Sequence, residues 1–307
     1  MAESGTIVAP SVTVQSVLFH TAPEAVERAL EATHRAAEIG WLEGTGGAVV
    51  VSFGDCSPTP ILTDALLEEW RGRFPSLGDI RYQFFGENLG HGGAQNRIAE
   101  TTVSDYLVIA NPDVVISPRT IQSLLRVFAD GSVGIAEAKQ LPIEHPKDYD
   151  RRTGATSWAA GAYSMLPTGL FKDIGGFDSE SFFMYCDDVD ISWRIREAGH
   201  KIVFQPGASI FHDKTLSAGA RWQPTAAERY FSAEAALLLT YKWSRPDLTD
   251  QILASFDAAA HLDTDAARAA AEFRSRAARG ALPEQRDAQH KTAEFVGGNY
   301  ATHRFVL

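Results

Sequence analysis

The chain has 307 residues, 45% of them hydrophobic, which is enough for one large domain with a buried core and a smaller extension. Its 28 lysines and arginines against 39 aspartates and glutamates give a net charge of −11, which argues against electrostatic binding of nucleic acid or of an anionic membrane. Cys56 and Cys186 are too few for a disulfide framework, and no secretion signal or membrane-spanning run is visible, so we expect a cytoplasmic protein, either free or at the inner face of the cell membrane.

Over the first 130 residues, short apolar runs alternate with helical patterns. The runs predict strands at 12–19, 48–53, 80–85 and 106–110. Helices are predicted between and after them, at 21–39, 62–74, 93–101 and from 117 onward. Thr21 and Glu24 have the spacing of a capping box, which predicts the start of the first helix. The alternation indicates an α/β fold with a mostly parallel central sheet, covered by helices on both faces, that binds ligands beyond the carboxyl ends of its strands.

The pattern changes after residue 130. Strands are predicted at 133–138, 158–166 and 201–204, with one helix over 187–198. After residue 224 the chain is nearly all helical, with segments at 226–243 and 266–279. We therefore predict an α/β domain over 1–215, with halves at 1–130 and 131–215, and a helical extension over 216–307 that could also form a homo-oligomer contact.

Asn111, Pro112 and Asp113 directly follow a predicted strand, which puts Asp113 at the carboxyl end of the sheet. A carboxylate there could hold a divalent metal ion that neutralises a phosphate leaving group. The same residues also suit a plain turn, and the sequence alone leaves both interpretations open. His212, a few residues after the last predicted strand, could complete a metal site as an imidazole ligand.

Three carboxylates, those of Asp187, Asp188 and Asp190, fall in the first turn of a predicted helix. Acids at a helix start can simply compensate the helix dipole, but crowded carboxylates also favour the raised proton affinity that a general base requires. Asp190 and Arg194 are spaced to form an ion pair along the helix, so we expect Asp190 to be structural. Asp187 and Asp188 remain as the catalytic candidates.

Two loops could bind a sugar or a phosphate. A glycine-rich segment from Asn88 to Asn96, which includes Gly90, is predicted as a loop whose backbone allows close approach of a ligand. Its glycine spacing matches neither a dinucleotide-binding motif nor a P-loop. The other loop follows the second strand, where Asp55 and Ser57 could contact a nucleobase, although a plain turn would look the same.

Trp158 precedes two small residues, Gly161 and Ala162. A large ring beside small residues suits the apolar face of a sugar, whereas a buried tryptophan in an ordinary core is the alternative. Tyr185, in an aromatic run before the acidic helix, is a further candidate for a sugar pocket.

In their order and spacing these motifs resemble the family 2 glycosyltransferases, most closely the rhamnosyltransferase-like and galactofuranosyltransferase-like branch. The resemblance covers roughly residues 12–213. The matching segments are 55–57, 88–90 with Asn96, 107–113, 161–162, 174–178, 182–185, 187–190 with Arg194, and 198–199 followed by His212.

The resemblance implies a GT-A fold, an inverting displacement on a nucleotide-sugar donor, and a divalent metal, Mg2+ or Mn2+. Asp113 stands at the metal-binding position of the family's Asp-x-Asp motif, with Asn111 in place of its first aspartate. His212 resembles the family's late metal-ligating histidine. Asp188 resembles the base of the family's Glu-Asp motif, and Asp187 stands where glutamate is usual.

The same resemblance divides the remaining residues between the substrates. Those expected to bind the donor are Asp55, Ser57, Asn88, Gly90, Asn96, Asn111 and Asp113, although Gly54 rather than Asp55 aligns best with the family's base-recognising aspartate. Those expected to form the acceptor or sugar pocket are Trp158, Gly161, Ala162 and Tyr185.

The resemblance also implies substrates. The family's processivity motif, Gln-x-x-Arg-Trp, is absent in that form, which predicts transfer of a single sugar. We predict dTDP-rhamnose as the donor, with UDP-galactofuranose or a UDP-hexose as alternatives, and a cell-wall or surface-polysaccharide precursor, free or lipid-linked, as the acceptor. The non-enzymatic alternative is a nucleotide-sugar-binding or scaffold protein without turnover.

Overall fold

A computed structural model describes residues 9–144, 148–212 and 225–297. The strands of these residues join in one nine-stranded sheet. They are β1 (Val12–Leu18), β2 (Val49–Asp55), β3 (Asp79–Phe84), β4 (Tyr106–Ala110), β5 (Val114–Ile116), β6 (Val133–Leu141), β7 (Ala155–Thr156), β8 (Tyr163–Pro167) and β9 (Lys201–His212).

Helices lie between the strands and follow the last of them. They are α1 (Pro23–Leu42), α2 (Asp64–Arg73), α3 (Gly90–Ala99), α4 (Thr120–Leu125), α5 (Thr168–Asp173), α6 (Asp187–Glu197), α7 (Ala226–Lys242), α8 (Pro246–Ala258) and α9 (Thr264–Ala278). A short 3₁₀ turn, Arg126–Ala129, continues α4.

The sheet is parallel in its first half and mixed in its second. The strand order is β3-β2-β1-β4-β8-β6-β9-β5, with β7 paired to β9. Strands β3, β2, β1 and β4 run parallel, as their continuous apolar sequences predict. The antiparallel pairing of β8 with β4 then joins this half to the second one without a break in the sheet. The carboxyl ends of β1, β2 and β4 therefore lie at one edge, where polar loops gather.

The start of α1 differs from the prediction. Its N-cap residue is Ala22, which makes no side-chain capping hydrogen bond, and Pro23 occupies the first turn. The hydroxyl of Thr21 instead accepts a hydrogen bond from the backbone N–H of Phe19, at 3.3 Å, so the predicted capping box is wrong. A capping box does form at α7, between Thr225 and Glu228.

Two further boundaries were mispredicted. The glycine-rich segment is not a loop throughout, because α3 already begins at Gly90 rather than at residue 93. Residues 158–162 are not part of a strand, since β8 begins at Tyr163. Strands β5 and β7, of three and two residues, and the six-residue helix α5 had no counterpart in the predicted elements, because segments this short carry no readable periodicity.

Helices α7 and α9 pack on α6 through a shared apolar cluster. Trp193 of α6 meets Trp243, directly after α7, edge to face with ring centroids 5.2 Å apart, and Phe273 of α9 belongs to the same cluster. The predicted boundary at 215/216 lies outside the described residues. In the parts of the chain that the structure describes, no helix has both the length and the apolar character to cross a bilayer.

Candidate active site at the carboxyl end of the sheet

Asp113 and His212 meet where β4 gives way to β5. The chain leaves β4 at Ala110, and the next residue, Asn111, is anchored by its backbone N–H to the carbonyl oxygen of Ala162, at 3.0 Å. His212, the last residue of β9, is the cross-strand partner of Val114. This register brings Nε2 of His212 to 3.3 Å from Oδ2 of Asp113. The structure thus joins two residues that are 99 positions apart, as the sequence predicted for a metal site.

The ring of His212 is oriented by Gln140 of β6. Oε1 of Gln140 accepts a hydrogen bond from Nδ1 of His212, at 3.0 Å, which leaves Nε2 facing Asp113. The amide nitrogen of Asn111 lies 3.4 Å from the same Nε2. Nothing in the sequence singled out Gln140, because it is one of three polar residues in β6, with Glu137 and Lys139.

This donor set fits a divalent cation. A carboxylate oxygen and an imidazole lone pair converge, and the Asp113 side chain is 38% exposed, so an ion could reach them from solvent. Among the described residues no cluster of three or more His, Cys, Asp or Glu side chains is suited to a metal. The described residues would therefore supply two ligands, Asp113 and His212, with waters and substrate phosphates completing the coordination of the ion.

Asp187 and Asp188 are the first two residues of α6, beside Gly161. Oδ2 of Asp188 accepts a hydrogen bond from the backbone N–H of Gly161, at 3.1 Å, and Oδ1 accepts from the N–H of Val189, at 2.9 Å. Oδ1 of Asp187 accepts from the N–H of Asp188, at 3.0 Å. Both carboxylates are buried and held by the protein. The segment that anchors Asn111 through Ala162 thus also holds Asp188 through Gly161.

The backbone immediately before α6 is strained. Tyr185 and Cys186 have φ values of 68° and 56°, in the left-handed region that residues other than glycine rarely adopt. Such conformations persist only where surrounding contacts enforce them. One such contact is the hydroxyl of Tyr185, which donates to a carboxylate oxygen of Glu228 in α7, at 3.2 Å. The C-terminal helices therefore support the turn that carries the acidic residues.

Asp190 lies at the centre of a buried ionic cluster. Its two oxygens face Nε of Arg194, at 2.8 Å, Nζ of Lys242, at 2.7 Å, and the indole N–H of Trp243, at 3.1 Å. The predicted ion pair between Asp190 and Arg194 is confirmed. Lys242 also donates a hydrogen bond to Asp178, at 2.6 Å. Burial raises the pKa of the Asp178 carboxyl, but the hydrogen bonds from Lys242 and Ser181 outweigh burial, so the pKa lies below its usual value.

His91, which the sequence did not indicate, joins the acidic turn. Nδ1 of its ring lies 2.5 Å from Oδ2 of Asp187. The two residues are 96 positions apart, and a histidine in a glycine-rich segment carries no pattern from which this contact could be inferred.

Contacts within the protein fix the conformation of the glycine-rich segment, residues 88–96. Gly90 has a φ of 69°, and a Cβ there would come within 2.3 Å of the carbonyl oxygen of Phe183. Asn96 donates to the carbonyl oxygen of Phe177 and accepts from its N–H, both at 2.8 Å, so its amide fastens α3 to the neighbouring loop. Asn88 is exposed at the start of the segment, where Oδ1 accepts from the N–H of Gly90. Of the three residues, only Asn88 presents a side chain to solvent.

Asp55 orders the loop after β2. It is fully buried, and its oxygens accept hydrogen bonds from the N–H groups of Ser57 and Ile61 and from the hydroxyl of Tyr82, at 2.8, 3.0 and 2.5 Å. Burial and this contact raise the pKa of the Tyr82 hydroxyl above its usual range. The Ser57 hydroxyl accepts from the N–H of His20. Direct contact between the Asp55 carboxylate and a nucleobase would require this loop to rearrange.

Trp158 does not line an open pocket, which corrects the sequence-based prediction. It is 3% exposed and belongs to the apolar cluster under α7 and α9, so its ring cannot present a face to a sugar. The alternative interpretation, a core tryptophan, is the one that the structure favours. Gly161 contacts Asp188, Ala162 contacts Asn111, and Tyr185 contacts Glu228 of α7.

The family of the chain follows from comparison with known proteins. A model of Glycosyl transferase family 2 matches residues 51–192, a span that includes Asp113, His91 and the acidic turn. The chain contains a family 2 glycosyltransferase domain. The family predicted from the motifs is therefore confirmed, and His212 follows the matched span as the end of β9.

Two bacterial proteins are among the relatives of this family 2 domain. N-acetylglucosaminyl-diphospho-decaprenol L-rhamnosyltransferase of Mycobacterium tuberculosis is 29% identical, over 48% of this chain and 62% of that protein. Rhamnosyltransferase WbbL of Escherichia coli K12 is 22% identical, over 43% of this chain and 64% of that protein. The chain thus spans less than two thirds of the length of these relatives. Their names support the rhamnosyltransferase-like branch.

Solved structures show that the fold is GT-A. The structure of GalNAc-T7 with UDP, GalNAc and Mn2+ has a TM-score of 0.61 and 13% identity, covering 78% of this chain and 50% of that one. Mannosyltransferase PcManGT of Pyrobaculum calidifontis, solved with GDP-Man and Mn2+, has a TM-score of 0.55 and 19% identity, covering 90% of this chain and 79% of that one. The predicted GT-A fold with a C-terminal helical region is confirmed.

Proposed function

We propose that this chain is an inverting, metal-dependent glycosyltransferase that moves a single rhamnose from dTDP-rhamnose to a hydroxyl of a cell-wall or surface-polysaccharide precursor, with a lipid-linked precursor as the favoured form. The choice of rhamnose and of a lipid-linked acceptor is supported by the name of the Mycobacterium tuberculosis relative.

The observation that carries the proposal is the arrangement of two acidic regions about residues 161 and 162. Asn111, two residues before Asp113, is bonded to Ala162, and Asp188 is bonded to Gly161, so the same short segment contacts both regions. A sugar attached to a diphosphate at the first region would place its anomeric carbon toward the second. An acceptor hydroxyl that approaches from the side of Asp188 would then attack opposite the leaving diphosphate, which is the geometry of inversion.

In this mechanism Asp113 and His212 hold the cation and Asp188 takes the proton. The cation supplies positive charge that stabilises the departing diphosphate when bound. Asp188 accepts the proton of the acceptor hydroxyl as the new glycosidic bond forms and the bond to the diphosphate breaks. Asn111, Asn88 and the loop after β2 are proposed to contact the nucleotide, the last through its backbone groups.

The deciding experiment is a thermal-shift panel of nucleotide sugars with and without Mn2+. A ligand that binds the native state alone raises the apparent stability by mass action. We expect dTDP-rhamnose with Mn2+ to give the largest stabilisation, followed by release of dTDP when an acceptor is added. Stabilisation by UDP-galactofuranose or a UDP-hexose instead would change the donor. Silence across the panel would favour a scaffold protein.

A further inference from the structure

The imidazole of His91 is fixed against the acidic turn. Besides the contact of Nδ1 with Asp187, the backbone N–H of His91 donates to the carbonyl oxygen of Phe183, at 3.0 Å. Its ring lies edge-on to Phe177, with ring centroids 5.4 Å apart. The two contacts place both the backbone and the ring of this residue relative to α6.

The other ring nitrogen of His91 has no matching partner. Nε2 is buried and makes no hydrogen bond within the described residues. A histidine that serves packing alone usually satisfies both nitrogens, because an unpaired buried polar atom costs free energy. Among the described residues, Asp187 is therefore the hydrogen-bonding partner of the ring.

The surroundings of His91 favour a positive charge on its ring. Burial lowers the pKa of the imidazole, but the charge of Asp187, its hydrogen bond and the charge of Asp188 outweigh burial and raise the pKa above its ordinary value. The charged groups that face the ring are these two carboxylates of α6. The other segments packed against it contribute uncharged residues, namely Gly161, Phe177 and Phe183.

We propose that His91 is a positioning residue that holds Asp187 in an ion pair and so leaves Asp188 as the carboxylate that accepts the proton of the acceptor hydroxyl. This inference rests on the proposed glycosyltransferase function. All four oxygens of the two carboxylates accept hydrogen bonds, but those of Asp188 accept from neutral backbone N–H groups, whereas Oδ2 of Asp187 faces the imidazolium. His91 therefore acts on the base through Asp187, by fixing the backbone of Asp188 and by lending a positive charge to the turn.

The test compares His91→Gln with His91→Lys in the full chain. Glutamine is polar and uncharged, whereas lysine keeps a positive charge within reach of Asp187. We expect His91→Gln to lower kcat by about 10- to 100-fold, because small displacements of a catalytic group cost rates of that order, and to leave KM for the nucleotide sugar unchanged. His91→Lys should recover much of the lost kcat.

The pH dependence of kcat separates positioning from packing. Loss of the positive charge favours protonation of Asp188, so the acidic limb of the profile should move to higher pH in His91→Gln and stay near that of the wild type in His91→Lys. A ring that only fills space would lower kcat equally in both variants without moving the limb, and that outcome would overturn the inference.

The remaining outcomes separate this inference from the function on which it rests. No transfer by the wild type from any nucleotide sugar would overturn the proposed function and the inference with it. Wild-type transfer with an unchanged kcat and profile in His91→Gln would overturn the inference alone. An NMR titration of His91 needs no substrate: the upward pKa shift should be lost in Asp187→Asn, and its persistence would contradict the ion pair.

Discussion

The two acidic regions at the carboxyl end of the sheet differ in how far the protein satisfies their polar atoms. The side chain of Asp113 is 38% exposed, and its Oδ2 lies 3.3 Å from Nε2 of His212. Asp187 and Asp188 are buried, and each of their four carboxylate oxygens accepts a hydrogen bond from the protein. This difference fits the proposed roles, in which the first region takes further ligands and the second holds carboxylates in place for proton transfer.

The largest expected effect comes from removing the proton acceptor of the buried region. Asp188→Asn should lower kcat by about 100- to 10,000-fold, because an amide cannot accept the proton of the acceptor hydroxyl. Nucleotide-sugar binding, measured by thermal shift, should persist because Asp113 and His212 are intact. Asp173→Asn, at the exposed end of α5, is the matched control. Normal turnover in Asp188→Asn would move the base to another residue.

The next largest effect is expected on stability, from the buried ionic cluster around Asp190 to which Lys242 of α7 contributes. Lys242→Met leaves the buried Asp190 without one of its two cationic partners and should lower the free energy of unfolding by about 3 kcal/mol, toward the lower end for a broken buried pair because Arg194 remains. Urea unfolding measures the loss.

Lys201→Met is the control for this substitution. Lys201 pairs with Asp130 at the surface, and we expect its removal to leave the unfolding midpoint unchanged. Equal small changes in the two variants would show that the buried cluster adds nothing beyond a surface pair.

A smaller effect is expected at the site formed by Asp113 and His212. Gln140→Leu removes the group that orients His212 and should weaken Mn2+ binding by about 10- to 100-fold, as loss of a hydrogen-bond partner behind a metal ligand usually does. The Mn2+ titration of donor-dependent thermal stabilisation measures it. His212→Ala should abolish the metal dependence altogether. An unchanged Mn2+ midpoint in Gln140→Leu would mean that this ring is not a ligand.

The smallest effect is the pH dependence of stability that His91 contributes. Because the pKa of its ring is raised on folding, the ion pair stabilises the protein fully below the unfolded value of 6.5, and this contribution is lost as pH rises through the folded pKa. The difference in unfolding free energy between the wild type and His91→Gln should therefore shrink toward alkaline pH. A difference that is constant with pH would argue against a charged ring.

The sequence predicted the parallel half of the fold better than the mixed half. Strands β1, β2 and β4 are buried on both faces, so they read as continuous apolar runs. The pairing of β5 with β9 had no such signal, because three residues cannot show a period. Trp158 illustrates a second limit: the same residue type serves a core or a sugar pocket, and only the cluster around it decides.

The candidate site was predictable where its residues follow strands and not where they meet across the fold. Asp113 could be placed because it directly follows a strand, and Asp188 because it opens a helix. The contacts of His91 with Asp187 and of Trp243 with Asp190 join residues 96 and 53 positions apart. No local pattern encodes such contacts, since they depend on how helices pack on the finished sheet.

The pairing of β9 fixes the position of His212 opposite Asp113. Ile210 and Phe211 of this strand are paired on both sides, with β5 and with β6, and His212 is paired with β5, so the register cannot slip there. An inserted residue in this stretch would carry Phe211 into the place of His212 and put an apolar ring opposite Asp113. Residues 206–208 have no partner in β6, so we expect a change in strand length to be tolerated there and not at Ile210, Phe211 and His212.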